Sequence, residues 1–562
     1  MKVVLLAINA KYVHSSLSVW ILAEAVRSYS KKKHDVVVLE ATINQELDDI
    51  LKMITEQKPD VIGVSTYIWN AKMLPNLLDL IKQKLPSVTI VLGGPEASFN
   101  VDFWLENGAD FVIQGEGEQK FPKLLDELGI KEYTVRGIAG QARNDSCFRV
   151  DLDKALNDGN YQMDFGKACN DGIHLYTYLD PYTDEYFSAL KGRLSYIEAS
   201  RGCSFSCSFC LSAENDVKYF PLDLVKKQID KLSQSDTHTI KFVDRTFNSN
   251  KKRAYELFEY ILELDTKCCF HFEVAADLFD EKTLLLLAKA PLGRIQFEIG
   301  LQSFFEQTLK ACARKTNLKK AEQNIQTLLG YKNIHIHIDL IAGLPYEALE
   351  DFKKSFNRAY ALKADVLQLG FLKLLHGSVL RSQAEEFGIN YSKEPPYEIT
   401  DNKWLTKADI KALKHTENAL QHTYNKGRFL TAIKYVLTAT GLTPYKFYYS
   451  FGKSFPNHGT QLELYAQHFF QFCKTLPNID EDTLIDKLSY DWLCKKKKKN
   501  APVFMKREGA RCKTVHANAE KKLGQKLRKE EVLILHTGEI IFVNSENKNP
   551  VTGLYEVNYF YN

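Results

Sequence analysis

The stretch RGCSFSCSFC, residues 201–210, sets Cys203, Cys207 and Cys210 in one short loop directly after the apolar run LSYIEAS (194–200). These are three of the chain's eleven cysteines. A tight loop after a strand can place three thiolates around one small inorganic group, and Gly202 lets the backbone turn closely before the first of them. Iron–sulfur cubes ordinarily take four cysteines, but the next cysteine after Cys210 is Cys268. A 4Fe-4S cluster on three thiolates keeps one iron open, and an open metal position points to chemistry, as it does at zinc sites. The fourth ligand is then a substrate or a cofactor. A structural zinc with a remote fourth ligand is the alternative reading, although zinc ordinarily uses paired CxxC or Cys/His knuckles. The remaining cysteines (147, 169, 268, 269, 312, 473, 494 and 512) read as inert core or surface thiols.

Around this loop the chain alternates. TIKFVD (239–244), CFHFEVA (269–275), RIQFEIGLQ (294–302), IHIHIDLIAGL (334–344) and VLQLGFLKLL (366–375) are strand-like and separated by helical segments. With 194–200 they make six β/α units, fewer than a full eight-stranded barrel. Upstream, KVVLLAI (2–8), DVVVLEA (35–41), DVIGVST (60–66), TIVLGGPEA (89–97) and DFVIQGEGE (110–118) alternate with amphipathic helices. That pattern predicts an open, doubly wound parallel sheet, whose ligand edge lies beyond the strands' carboxyl ends. Those ends carry Ser65, Thr66, Gly93, Gly94, Gly115, Glu116 and Gly117. The expected organisation is an α/β chain: a first domain at 1–140, a linker at 141–193, a partial barrel at 194–376, and a mainly helical extension at 377–562 ending in a strand pair. No internal repeat is visible.

The bulk numbers agree. At 562 residues the chain exceeds one domain, and 45% hydrophobic with 26% charged residues is ordinary globular composition. A net charge of +4 is too small for this size to imply nucleic acid or membrane by itself. MKVVLLAINAKYVHSS lacks the long apolar core and small-residue cleavage site of a signal peptide, and no apolar stretch reaches the length of a membrane span. The first 146 residues contain no cysteine, which fits a reducing cytoplasm rather than a disulfide framework. The lysines at 495–499 read as a solvated charge run.

The Cx3CxΦC spacing after the first strand of a six-unit partial barrel resembles the radical S-adenosylmethionine (SAM) superfamily. The resemblance implies that SAM chelates the open iron and is cleaved by an electron from the cluster, giving methionine and a 5′-deoxyadenosyl radical. It places Phe209 beside the adenine. It also implies SAM contacts at strand ends: Asp244 and Thr246 in FVDRTFN, Glu273 in FEVA, Gln302 in EIGLQSF, Arg314 twelve residues later, and Asp339 in IDLIAGLP. Read singly, Asp244 and Asp339 are equally helix caps, Glu273 and Glu298 lysine partners, and Gly343 a turn glycine. No GGE follows the second strand.

The first domain resembles the cobalamin-binding, flavodoxin-like domain that precedes the barrel in many superfamily members, with VSTY, LGGPEA and VIQGEGE as its loops. There the small residues would let backbone approach the corrin and its tail. The loop after the first strand reads NAKYVHSSL, with His14 but without the D-x-H-x-x-G of histidine-ligated cobalamin proteins. The implied function is cobalamin-dependent methyl transfer to an unactivated carbon. The implied partners are a small-molecule or peptide substrate and an electron donor such as flavodoxin or ferredoxin, with no membrane and no nucleic acid. Cyclisation, rearrangement or another non-methylating radical reaction is the alternative, and an iron–sulfur redox or sensor protein is the non-enzymatic one.

Overall fold

The computed structural model describes residues 1–128, 179–213, 216–455, 461–495, 501–506 and 532–560, with isolated positions between 514 and 526. Most of the expected linker (141–178), three cysteines (147, 169 and 512) and the lysines at 496–499 lie outside the described residues.

Five parallel strands form the N-terminal sheet: β1 (Lys2–Asn9), β2 (Asp35–Thr42), β3 (Val61–Ser65), β4 (Thr89–Gly93) and β5 (Phe111–Ile113). Their order is β2-β1-β3-β4-β5. Strand β1 is apolar on both faces because helices cover both. Val3, Leu5 and Ala7 pack with Val19, Trp20 and Phe121, while Val4, Leu6 and Ile8 pack with Ile50, Ile54 and Leu77. The order reverses between β1 and β3, and such a switch point opens a crevice at the strands' carboxyl ends.

The chain re-enters at 179. Helix Asp184–Leu190 belongs to the last part of the expected linker, yet Tyr182, Tyr186 and Leu190 are core residues. Arg193 closes this join with a buried ion pair to Glu40, Nη1 to Oε2 2.9 Å. Next come β6 (Ser195–Ile197) and a two-stranded ribbon, β7 (Ser200–Arg201) with β8 (Lys218–Tyr219). That ribbon closes the base of the cysteine loop. The parallel sheet continues through β9 (Thr239–Phe242), β10 (Cys269–Val274), β11 (Ile295–Gln302), β12 (His335–Ala342) and β13 (Val366–Phe371). Its order is β13-β12-β11-β10-β9-β6, the six expected units. Phe270, Phe272, Phe297, Ile336 and Ile338 are fully buried in the core shared with the helices. The intervening His271, Glu273, Glu298, His337 and Asp339 pair with one another and with Lys241 on the opposite face, inside the barrel.

The C-terminal region opens with a short ribbon, β14 (Asn390–Tyr391) with β15 (Ile399–Asp401), and continues in five longer helices. It ends in three antiparallel strands, β16 (Val532–Ile534), β17 (Ile540–Lys548) and β18 (Tyr555–Phe560), where a pair was expected. The run EEVLILHTGEIIFVN folds back on itself: Gly538, at φ +86°, donates to the Leu535 carbonyl, and Leu535 donates to Glu539. No helix among the described residues is long and apolar enough to cross a membrane.

Candidate active site

The three loop cysteines are free thiols; Cys207 is buried and the others half-buried. Each sulfur has one hydrogen-bonding neighbour. Arg314 Nη1 donates to Cys207 Sγ at 3.6 Å, the Ser212 N–H to Cys210 Sγ at 3.4 Å, and the Thr246 hydroxyl lies 3.6 Å from Cys203 Sγ. Burial raises the Cys207 pKa, and the Arg314 charge opposes it. Donors aimed at sulfur favour the thiolate, which is the form that binds iron. Among the described residues no three His, Cys, Asp or Glu side chains are placed to hold a single ion. One further cysteine does reach the loop: the Ser208 N–H donates to the Cys312 carbonyl at 3.0 Å. Burial pushes the Cys312 thiol up to about 12.

At the end of β11 the strand is irregular between Gly300 and Gln302, and Gln302 sits at φ +69°. A non-glycine residue in that region is strained, and such strain gathers at functional sites. Arg314 Nη2 donates to the Gly300 carbonyl at 2.6 Å, so one guanidinium joins this kink to the cysteine loop. Gln302 Oε1 and Arg314 Nε are both buried without a protein partner. Buried polar atoms are nearly always bonded, and these two fit a polar ligand beside the cluster loop. Phe209 is partly buried against the core, and Thr246, almost fully buried, also donates to the Arg245 carbonyl at 2.8 Å.

Asp244 is engaged with the strand that leads into the cysteine loop. It is 2% exposed, and its carboxylate accepts from the Ala199 N–H and the Ser200 hydroxyl. Burial pushes its pKa to about 7 despite these bonds. Asp244 thereby ties the end of β9 to the strand leading into the cysteine loop. Asp339 faces His337, Oδ1 to Nε2 3.0 Å. Glu273 stands 3.8 Å from Lys241 and is pushed up by burial.

A cavity of about 630 Å³ lies between the carboxyl edge of the N-terminal sheet and the barrel mouth. Ser65, Gly93, Gly94, Gly115, Glu116 and Gly117 line one side, and Tyr196, Arg201, Arg245 and Glu273 the other. Thr66 does not reach it: it is 0% exposed, its hydroxyl donates to the Gly93 carbonyl, and it accepts from the Ala97 N–H. Glycine at 94 is demanded by its own loop, since φ is +103° and a Cβ would come 2.6 Å from the Thr66 carbonyl oxygen. Gly93 has no such constraint; the nearest atom to a Cβ there is Ile113 O at 3.9 Å. Glu116 is engaged with the barrel, 3.4 Å from Arg201 and 3.3 Å from Lys218. Arg201, the first residue of the cysteine stretch, also binds Glu118 at 2.8 Å and Glu198 at 2.7 Å. Burial opposes its charge, but these carboxylates outweigh it and raise its pKa.

Sequence reading named His14 and, as a lysine partner, Glu298, but it missed their partners Tyr196, Lys241 and His271. His14 Nδ1 is 2.6 Å from the Tyr196 hydroxyl, and burial lowers its pKa. Lys241 Nζ reaches Glu298 at 3.2 Å, and His271 Nε2 reaches it at 3.0 Å. Burial works against the Glu298 charge, yet the His271 hydrogen bond and the Lys241 charge hold its pKa at about 2. The signal was present in CFHFEV, RIQFEIG and IHIHID. There the polar residue recurs at every second position, which in a barrel means inward.

A B12 binding domain model matches residues 3–125, a radical SAM superfamily model residues 197–359, and a model of a protein of unknown function (DUF4080) residues 385–540. The chain is 24% identical over 349 residues to an uncharacterized methyltransferase of Pyrococcus horikoshii, covering 61% of this chain and 73% of that protein. It is 24% identical over 339 residues to the anaerobic magnesium-protoporphyrin IX monomethyl ester cyclase of Rubrivivax gelatinosus, covering 58% of each. It thus spans little more than half of that second relative. Among solved structures it is similar to the cobalamin-dependent SAM radical enzyme OxsB with aqua-cobalamin and SAM bound, at TM-score 0.51 and 16% identity, covering 94% of this chain and 82% of that one. It is equally similar to the methyltransferase TsrM of Kitasatospora setae with cobalamin and a [4Fe-4S] cluster bound, at TM-score 0.51 and 16% identity, covering 71% and 82%. The three-thiol loop heading a six-stranded β/α sheet, and the glycine-edged sheet across the cavity from it, coincide with two of these matched regions: residues 197–359 match the radical SAM superfamily and residues 3–125 match a B12 binding domain.

Proposed function

We propose that the chain transfers a methyl group to an unactivated carbon, using a 4Fe-4S cluster, SAM and cobalamin held across the cavity. The observation that carries this is the ion-pair cluster in which Arg201, two residues before Cys203, grips Glu116 and Glu118 of the GEGE loop. It turns the ligand edge of the B12-binding sheet towards the cysteine loop. When bound, the cluster and SAM supply a hydrogen-abstracting radical and cobalamin supplies the methyl carrier. The chain's residues do the rest. Cys203, Cys207 and Cys210 hold the cluster. Gln302 Oε1 and Arg314 Nε offer an acceptor and a donor for SAM's amino and carboxylate groups. The Gly93 edge leaves room for a flat macrocycle. Lys241, Arg245 and Glu273 make a polar wall that suits a polar small-molecule or peptide substrate. The electron donor would be a small flavodoxin or ferredoxin of the cytoplasm.

The cyclase relative favours a second reading, radical chemistry without methylation. Anaerobic incubation with SAM and a reductant separates the two by mass spectrometry. Both 5′-deoxyadenosine and S-adenosylhomocysteine are expected; deoxyadenosine alone would favour the second reading. Neither product from cluster-loaded protein would leave an iron–sulfur redox or sensor role.

Gly93→Leu tests the cobalamin side. Its side chain would enter the cavity without straining the backbone. Overfilling a packed space costs about 1–3 kcal/mol, so hydroxocobalamin should bind about tenfold or more weakly by absorbance titration. The iron content should not change. Wild-type affinity in this variant would place the corrin elsewhere. His14→Ala should leave the absorbance and electron-spin spectra of the bound cobalamin unaltered, because the NAKYVHSSL loop lacks the D-x-H-x-x-G of histidine-ligated cobalamin proteins. A nitrogen coupling to cobalt that vanishes in this variant would contradict that.

A further inference from the structure

We propose that residues 372–399, which straddle the start of the region of unknown function, form a strut that sets the separation between the cysteine loop and the β4 glycine loop, with Tyr397 and Arg381 as its positioning residues. The proposal rests on reading those two loops as the holders of the cluster and of cobalamin.

The strut is rooted in the barrel. Leu372 donates to the Ala342 carbonyl at 2.9 Å; Ile399 donates to Leu372 at 2.9 Å and Leu374 to Tyr397 at 3.0 Å. From this root it reaches both loops. The Leu380 N–H donates to the Ser208 carbonyl at 2.7 Å, between two cluster cysteines. The Tyr397 hydroxyl donates to Glu96 Oε1 in LGGPEA. Tyr397 is 4% exposed and Glu96 5%. A buried carboxylate is costly unless it is bonded, so this hydroxyl fixes where the glycine loop can rest. The loop transmits the position onward, since the Ala97 N–H is held by the Thr66 hydroxyl at 2.9 Å. Gly377, at φ +84°, lies so close under Phe99 that a Cβ would run into the ring. Arg381 braces the span: its Nη1 binds the Leu374 carbonyl, and its Cζ stands 5.0 Å from the Tyr397 ring and 5.2 Å from the Tyr391 ring. Packing alone would be met by phenylalanine at 397. A buried Tyr–Glu hydrogen bond adds direction, and near-attack geometry depends on direction.

The test uses the full chain, reconstituted anaerobically, in wild-type, Tyr397→Phe, Glu96→Ala, Glu96→Gln and Arg381→Lys forms. The first readout is amide hydrogen exchange without cobalamin, in peptides covering 94–100 and 203–212. Tyr397→Phe and Glu96→Ala should raise exchange in both peptides together, by about tenfold, with β11 unaffected. Glu96→Gln keeps an acceptor for Tyr397 and should stay within about twofold of wild type. Arg381→Lys, which loses the planar fork and its stacking, should behave like Tyr397→Phe. The second readout adds hydroxocobalamin, reduced to the paramagnetic cobalt(II) form, and measures its distance to the reduced cluster by pulsed electron-spin resonance. The distribution should broaden in Tyr397→Phe, with the iron content unchanged. Exchange that rises in one loop only, or wild-type exchange in both, would overturn the strut. If Tyr397→Phe does not fold, Glu96→Ala breaks the same bond from the other side and decides the question. A wild-type chain that binds no cobalamin would refute the cofactor reading instead, and the exchange comparison would still judge the strut.

Discussion

Alanine at Cys203, Cys207 or Cys210 should each remove the cluster entirely. Iron and sulfide content, the broad visible absorption and SAM cleavage should fall to background together. The reason is ligand count: three thiolates already leave one iron open, and a second open iron would leave the cluster on two anchors. Cys268→Ala should keep the cluster, because that thiol donates to the Thr237 carbonyl at 3.1 Å, just before β10 begins. Cys312→Ala is the sharper control. Its backbone touches Ser208 in the cysteine loop, so it is the one other described cysteine in contact with that loop. The contact is made by its backbone carbonyl, and Cys312 lies about a hundred residues outside the Cys203–Cys210 run. Cys312→Ala should therefore retain iron. Loss of the cluster in a folded Cys312→Ala protein would make it a fourth ligand, close the open iron and overturn the proposed SAM chelation. Stoichiometric zinc in place of iron after anaerobic reconstitution would overturn the cluster itself.

The fold was legible because its strands carry their periodicity openly. KVVLLAI is apolar throughout since helices cover both faces of β1, while CFHFEV and IHIHID alternate since one face lines the barrel. The third C-terminal strand was hidden because HTGE looks like part of one long run, and only the turn at Gly538 divides it. The site was legible where a motif is local. Cys203, Cys207 and Cys210 are neighbours in sequence, so their spacing brings the three thiols to one loop without any tertiary information. Asp244 shows the limit: strand-end position predicted its place but not its direction, and burial of the carboxylate against Ala199 and Ser200 is a tertiary fact. Long-range joins were not legible at all. Arg201 with Glu118, His14 with Tyr196 and Glu96 with Tyr397 are pairs far apart in the chain. Each partner alone looks like any surface or core polar residue. These joins matter for function because they orient the two cofactor-bearing sheets, so the information most needed for the mechanism is the least local.

Arg314→Ala should weaken SAM binding about tenfold to a hundredfold. The guanidinium spends Nη2 on the Gly300 carbonyl and Nη1 on Cys207 Sγ, and its Nε is buried without a partner. A hydrogen bond to a charged group is worth about 1.5–3 kcal/mol, which sets that range. From sequence, the resemblance implied a SAM contact at Arg314; its guanidinium also lies beside Cys207. Removing it also takes a positive charge and a donor from a thiolate ligand. The reduced cluster carries more negative charge than the oxidised one, so its midpoint potential should fall. Isothermal titration with SAM and a redox titration by electron-spin resonance read the two effects separately. Arg314→Lys divides them further. Lysine keeps the charge but not the fork, so the potential should recover more than the SAM affinity. Iron content should stay at the wild-type level in both variants, because Cys203, Cys207 and Cys210 remain. Unchanged SAM affinity in Arg314→Ala would assign the orphaned Nε to something other than SAM. An unchanged potential would mean that the 3.6 Å contact with Cys207 does not persist once the cluster is in place.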